Sequence, residues 1–196
     1  MICSFENVSK SFGDTPVLEN VSLSLEKGVP YALCGASGAG KTTLLRLLCR
    51  LDTPDSGKIL LPDNCRFSYA FQEPRLFENV TVQTNMELVK PDRSIADILA
   101  QLDLESSAHK YPSELSGGMQ KRASLARALS VRADVYLIDE PTAGQDADHT
   151  ESIIDAIRKY TADAICIVAS HDEAFIRVWA KKRILVADRS VSVSDL

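Results

Sequence analysis

The spacing of apolar residues changes period along the chain, and each change marks a different kind of element. Over residues 1–28 the period is two, as in Val21-Ser22-Leu23-Ser24-Leu25, with a turn at Gly13-Asp14. Successive side chains of a strand point to opposite faces, so this region predicts a small antiparallel sheet. Tyr31-Ala32-Leu33-Cys34 is a short continuous apolar run, whereas Thr42 to Cys49 carries Leu44, Leu45, Leu47 and Leu48 in the pattern of a helix. Lys58 to Leu61 and Arg66 to Phe71 read as further strands, with Thr53-Pro54-Asp55-Ser56-Gly57 as a turn between helix and strand. From Thr81 to Ala108 the pattern becomes helical, with Ile95, Ile98, Leu99 and Leu102 at helical spacing, and a further helix is predicted over Ser116 to Leu129. Val135 to Ile138, Ala164 to Ala169 and Ile184 to Ala187 are apolar without alternation, which fits strands of a parallel sheet buried on both faces. The fold class is therefore α/β. One domain is expected over 1–196, with a core from 1–72 and 131–196 and a helical subdomain inserted at 73–130.

Chemistry enters at Gly35-Ala36-Ser37-Gly38-Ala39-Gly40-Lys41-Thr42, which fits the phosphate-loop pattern G-x-x-x-x-G-K-[ST]. A strand precedes it and a helix follows, the context this motif requires. Glycines let the backbone wrap a polyphosphate with its N–H groups turned inward, and the helix N-terminus adds partial positive charge. In this pattern Lys41 reaches the β- and γ-phosphates, the Thr42 hydroxyl ligates Mg²⁺, and Thr43 can bond another phosphate oxygen. A second element, Val135-Tyr136-Leu137-Ile138-Asp139-Glu140, ends in adjacent carboxylates. Asp139 emerges at a strand's carboxyl end, where open α/β sheets bind ligands, and can hold Mg²⁺ through its water shell. Glu140 cannot share the direction of Asp139 on a strand and is assigned to the attacking water, as general base or polarising group.

Between these two elements lies Leu115-Ser116-Gly117-Gly118-Met119-Gln120. A Ser-Gly-Gly segment in that interval resembles the signature motif of ABC-type ATPases, and the resemblance extends over nearly the whole chain. It implies a P-loop NTPase core, ATP and Mg²⁺ as cofactors, and hydrolysis of ATP to ADP and phosphate. Phe12 stands where the family usually has an aromatic that stacks on adenine; a core phenylalanine is the other reading. Gln72 matches the glutamine that joins the Mg²⁺ site to the helical insertion, and His171, in Ser170-His171-Asp172-Glu173, matches the switch histidine that contacts the γ-phosphate. Ser116, Gly117, Gly118 and Gln120 would act on ATP bound to a second, identical subunit, with Asp146 communicating across that homodimer. The segment Phe71 to Phe77 is similar in style to bacterial nitrate, sulfonate and taurine importer ATPases. That likeness implies integral-membrane permease subunits, allows a substrate-binding protein, and places the chain in the cytoplasm on the inner face of the membrane. Glu73 to Phe77, with two charges, a proline and two exposed-looking apolar side chains, together with the helices between Thr81 and Leu102, would form the groove for a permease helix. Two details depart from the family: Met119 replaces the usual glutamine, and Gln145, in Ala143-Gly144-Gln145-Asp146, replaces the usual leucine.

Composition narrows the alternatives. At 196 residues and 45% hydrophobic content one sizeable core is possible, and a net charge of −5 argues against a general nucleic-acid partner. No apolar run reaches the roughly 18–20 residues that span a bilayer, and the N-terminus has no basic-then-apolar leader. Cys3, Cys34, Cys49, Cys65 and Cys166 are scattered and odd in number, as expected of reduced thiols. A soluble ABC-type ATPase of chromosome maintenance would need a long coiled coil ahead of the signature, and a translation factor of this type normally carries two such modules. A small-molecule kinase has no need of Ser116-Gly117-Gly118 or His171. Arg177, Lys181, Lys182 and Arg183, near Trp179, read as a solvated helix end in preference to a lipid contact. His109 and His149 have no motif around them.

Overall fold

The computed structural model describes residues 2–196. β1 (Ile2–Phe12) and β2 (Thr15–Glu26) form an antiparallel hairpin, and β4 (Ser56–Leu60) pairs with the other edge of β1, giving the order β2-β1-β4. Along β2 the apolar residues Val21, Leu23 and Leu25 are buried while Ser22 and Ser24 are exposed, as the period of two requires. The larger sheet runs β5 (Phe67–Ala70), β6 (Val135–Asp139), β7 (Ile165–Ala169), β3 (Pro30–Cys34), β8 (Lys182–Ala187) and β9 (Ser190–Asp195). β5, β6, β7, β3 and β8 are parallel, and β9 returns antiparallel to β8.

The parallel sheet separates two apolar clusters, and residue parity assigns side chains to each. Val135, Leu137, Ile165 and Ile167 join the first, with the antiparallel sheet and α1 (Lys41–Leu48). Tyr136, Ile138, Cys166 and Val168 join the second. That side is covered by α2 (Val82–Glu87), α3 (Ile95–Gln101), α4 (Gly117–Leu129), α5 (Ala147–Thr161) and α6 (Glu173–Trp179). Side-chain oxygens of Thr81, Ser94, Ser116, Asp146 and Asp172 cap the starts of α2 to α6. Each such cap is worth about 1 kcal/mol. The guanidinium of Arg93 donates to Leu129 O (2.7 Å), Tyr160 O (2.7 Å) and the Tyr136 hydroxyl (3.0 Å), tying the approach to α3 onto α4, α5 and β6.

Several elements differ from the sequence reading. The helical stretch at 81–108 is broken: α2 ends before Lys90, which has φ 53°, and Pro91 and the Ser94 cap start α3 afresh. β9 was not expected. Its Ser-Val alternation is weakly apolar, and the turn before it uses Asp188 and Arg189, both with positive φ, where a glycine or asparagine would have announced a hairpin. Leu76 was read as exposed and is 9% exposed within the second cluster, while Phe77 beside it is 58% exposed. Two of the four residues of the basic cluster at the end of α6 are paired, Arg183 with Glu173 at 2.7 Å and Lys182 with Asp195 at 3.9 Å. All five cysteines are free thiols, and burial pushes Cys3, Cys49 and Cys166 up to about 12, so these three stay protonated and unreactive.

Candidate nucleotide site

The carboxyl ends of three parallel strands lie side by side, since Leu33 of β3 and Asp139 of β6 both pair with Ala169 of β7. The loop after β3, the acidic pair ending β6 and Ser170-His171 after β7 therefore converge. The cleft they bound, about 430 Å³, is lined by Ser37, Gly38, Gly40, Lys41, Thr42, Thr43, Gln72, Asp139, Glu140 and His171, with Phe12 and Val17 at its side. Gly35, with φ 149°, passes so close to β8 that a Cβ would sit 2.5 Å from Val186 O, and Ala36 and Ala39 close the turn with a 3.2 Å backbone bond. No side chain caps the start of α1, so its first N–H groups are left open to an anion at the loop. The Lys41 ammonium is held by its own loop, donating to Gly35 O (2.7 Å) and Ala36 O (2.9 Å).

The acidic pair is unequal in direction and alike in burial. Asp139 completes the strand, and burial raises its carboxyl pKa against the opposing pull of Lys41 and His171. Glu140 turns into the left-handed region, φ 49°, while its N–H still bonds Ala169 O at 2.9 Å. That conformation costs a non-glycine residue about 1–3 kcal/mol and aims the carboxylate away from Asp139. Oε1 of Glu140 lies 3.2 Å from Nε2 of His171, whose ring is 68% exposed at the cleft. Burial is again the main force raising the Glu140 pKa, and His171 is the main force lowering it.

The oxygens available for a cation are hard ones. Thr42, Gln72 and Asp139 line the adjoining cleft together with Arg46 and Arg75, whereas no group of three or more His, Cys, Asp or Glu forms a metal cluster among the described residues. A hydroxyl, a carboxamide and a single carboxylate suit Mg²⁺, which keeps several waters and shares substrate phosphates. Phe12 is 53% exposed at the tip of the hairpin, with the Lys10 ammonium 5.5 Å from its ring, which removes the core reading and leaves a flat face open to a base.

The signature segment is elsewhere: none of Ser116, Gly117, Gly118 and Gln120 lines the cleft. Ser116 caps α4 by accepting from Met119 N at 3.2 Å, and a Cβ on Gly117 would meet nothing within 4 Å. The Gln120 carboxamide is spent on Pro112 O (2.9 Å) and Leu115 O (3.4 Å), bracing the turn into α4. Asp146 caps α5 and accepts from His149 twice, at its N–H (3.0 Å) and near Nδ1 (2.7 Å), which gives His149 a place that no motif announced. These bonds hold Asp146 below the usual carboxylate range. Three further side chains have partners that the sequence did not announce. Lys121 donates to Ala143 O (2.8 Å), Arg122 to Gln145 Oε1 (2.8 Å), and Gln145 Nε2 to Gly118 O (3.2 Å).

Comparison with known proteins gives the family. The family model described as ABC transporter matches residues 18–143. The chain is 36% identical over 190 residues to the sulfate/thiosulfate import ATP-binding protein CysA of Thermosynechococcus vestitus, covering 87% of this chain and 56% of that protein. It is 37% identical over 196 residues to the aliphatic sulfonates import ATP-binding protein SsuB 1 of Nocardia farcinica, covering 95% of this chain and 78% of the relative. Among solved structures, a dimeric ATP-binding cassette in a post-hydrolysis state, bound to ADP and Pi, superposes with TM-score 0.86 at 26% identity, covering 100% of this chain and 99% of that one. An ATP-binding subunit of an ABC transporter gives TM-score 0.90 at 22% identity over 100% of this chain and 90% of that one, a likeness of fold. With a family match across most of its length and relatives of this kind, the chain belongs to the ABC transporter family.

Proposed function

We propose that the chain is the ATP-hydrolysing subunit of an importer for a small oxyanionic solute, working as a homodimer beneath integral-membrane permease subunits. The observation that carries this reading is the meeting of Glu140 and His171, 3.2 Å apart, above a cleft shared with Lys41, Thr42, Gln72 and Asp139. Phe12 stacks on the adenine. Loop N–H groups from Ser37 to Thr43 and the start of α1 hold the phosphates, and the Lys41 ammonium exchanges its two carbonyl partners for phosphate oxygens. Mg²⁺, held by Thr42, Gln72 and water on Asp139, would supply charge neutralisation to the β- and γ-phosphates. Glu140 orients the attacking water and draws its proton, for which a raised pKa is favourable. His171 donates toward a γ-phosphate oxygen and, through the same ring, keeps Glu140 in place.

Ser116 and Gly117 are exposed, Gly118 is half-buried, and all three lie away from the chain's own cleft, so the N–H groups and dipole at this helix start suit the γ-phosphate in a facing protomer, with Asp146 communicating across the pair. Motion leaves through the segment after Gln72. Arg127 grips Arg75 O (3.0 Å) and Pro74 O (3.3 Å), Asn85 grips Phe77, and exposed Phe77 and Leu88 offer an apolar face to a permease helix. This division assigns 1–72 and 131–196 to nucleotide chemistry and 73–130 to coupling. The sulfate and sulfonate import relatives support the solute class, and a substrate-binding protein on the far side of the membrane belongs to the same proposal. No helix among the described residues is long and apolar enough to cross a membrane, so attachment to its inner face is assigned to the permease.

The test uses Glu140→Gln with saturating Mg-ATP. ATP should remain unhydrolysed and a stable dimer should appear by light scattering, with Ser116→Arg in the same background abolishing it. Turnover by Glu140→Gln at the parent rate would remove Glu140 from the mechanism.

A further inference from the structure

Gln145 occupies a position that the family resemblance gives to leucine, and a leucine could make none of the bonds found here. Its carboxamide is used at both ends. The oxygen accepts from Arg122 Nη1 at 2.8 Å, and the nitrogen donates to Gly118 O at 3.2 Å. This pattern fixes the amide's orientation, because a flip would set its NH₂ against a guanidinium that can only donate and its oxygen against a carbonyl. Arg122 is 6% exposed; its Nε donates to Leu102 O at 3.0 Å, so Gln145 is one of few acceptors holding a buried cation. Contact with Gly118 is close enough that a Cβ there would lie 3.3 Å from both polar atoms of the amide, which gives the second signature glycine a role inside its own protomer. The loop is stitched to the helix once more by Lys121 on Ala143 O.

Gln145 lies on the short loop that leaves Glu140, and Gly118 lies in the first turn of the helix that would read a facing nucleotide. We propose that Gln145 is a positioning residue that locks the Ser116–Gly118 turn to the loop carrying Glu140, so that the two ATP-reading surfaces of one protomer move as one body. The inference rests on the ATPase reading above and names a coupling that reading does not require. A facing γ-phosphate that displaces Gly117 would shift Glu140 through this amide, linking closure at one nucleotide to alignment at the other.

Two substitutions separate the tether from simple packing. Gln145→Glu keeps an acceptor for Arg122, as a carboxylate, and loses the donor to Gly118 O. Gln145→Leu loses both. Nucleotide affinity of the isolated protein, measured with a fluorescent ATP analogue, should stay within about twofold of the parent in both. Maximal turnover should fall about ten- to a hundredfold, the cost of a misplaced but intact catalytic group. The Gln145→Glu protein should melt at or above the parent temperature. Parental turnover in Gln145→Glu would overturn the proposal, and so would failure of that variant to fold, since Gln145 would then be a packing residue. Amide exchange across Gly118 to Arg122, measured without nucleotide, should be faster in Gln145→Glu. Faster exchange alongside an inactive parent would leave the tether standing and remove the ATPase reading, and unchanged exchange would remove the tether itself.

Discussion

Asn85 is wholly buried at the base of the segment assigned to permease docking, and replacing it with alanine isolates the energetics of that segment. Its Oδ1 accepts from Phe77 N at 2.8 Å, and its Nδ2 donates to Phe77 O (3.1 Å), Thr81 O (3.1 Å) and Val80 O (3.4 Å). Thr81 O keeps a partner in Asn85→Ala, because it also accepts the Asn85 backbone N–H at 2.9 Å. The loss therefore falls mainly on the two bonds to Phe77. Each neutral bond contributes about 1 kcal/mol, and a Phe77 group left unpaired where water is excluded costs about 1–3 more. The total is about 3–5 kcal/mol, which for a chain of this size lowers Tm by about 6–20 °C. Differential scanning calorimetry reads the shift, and exchange at the Phe77 amide localises it. Nucleotide affinity should be unaffected, since Asn85 does not line the cleft, while ATP hydrolysis in the assembled transporter should lose its stimulation by solute. A Tm within about 1 °C of the parent, below what the loss of one buried bond would give, would refute the claim that Asn85 anchors this loop.

Two other outcomes are expected. Phe12→Ala should weaken ATP binding by about 1–3 kcal/mol with little change for inorganic triphosphate, because only the base loses its platform; equal weakening of both by titration calorimetry would place the adenine elsewhere. Glu140→Gln should raise the nucleotide-free Tm at neutral pH. Burial raises the folded-state pKa of Glu140, so the folded form holds its proton more tightly than the unfolded form and the parent loses stability as pH rises through the carboxylate range to that raised value. The advantage of the glutamine variant should shrink as pH falls back through the same range, and a gain independent of pH would assign it to something other than this carboxyl.

The elements that were legible in the sequence are those whose signal is local. Strands buried on both faces cannot carry alternating polarity, so Val135 to Ile138 and Ala164 to Ala169 announced themselves, and Gly35 to Thr42 was readable because a wrapped phosphate needs glycines and an amine at fixed spacing. Ser116 was legible in two ways, as a helix cap and as part of the signature. Other features are decided between distant parts of the chain. Leu76 follows an arginine and precedes an exposed phenylalanine, and only the packing of the insertion against the sheet selects which apolar residue turns inward. β9 exists because β8 offers an edge, which a Ser-Val alternation accepts without advertising it. Gln145 showed in the sequence as an odd residue in a familiar loop, but the partners that give it meaning lie 23 and 27 positions away on another helix.

The division of β6 between two apolar clusters extends past its last apolar residue. Val135 and Leu137 belong to one layer and Tyr136 and Ile138 to the other, Asp139 carries on the same count into the cleft, and Glu140 leaves it through its left-handed turn. A slip of one residue in this strand would exchange every apolar side chain between layers of different shape and would carry the two carboxylates with it. The core therefore acts as a proofreader for the chemistry: a chain that has packed β6 correctly has, by the same act, told its two acids apart.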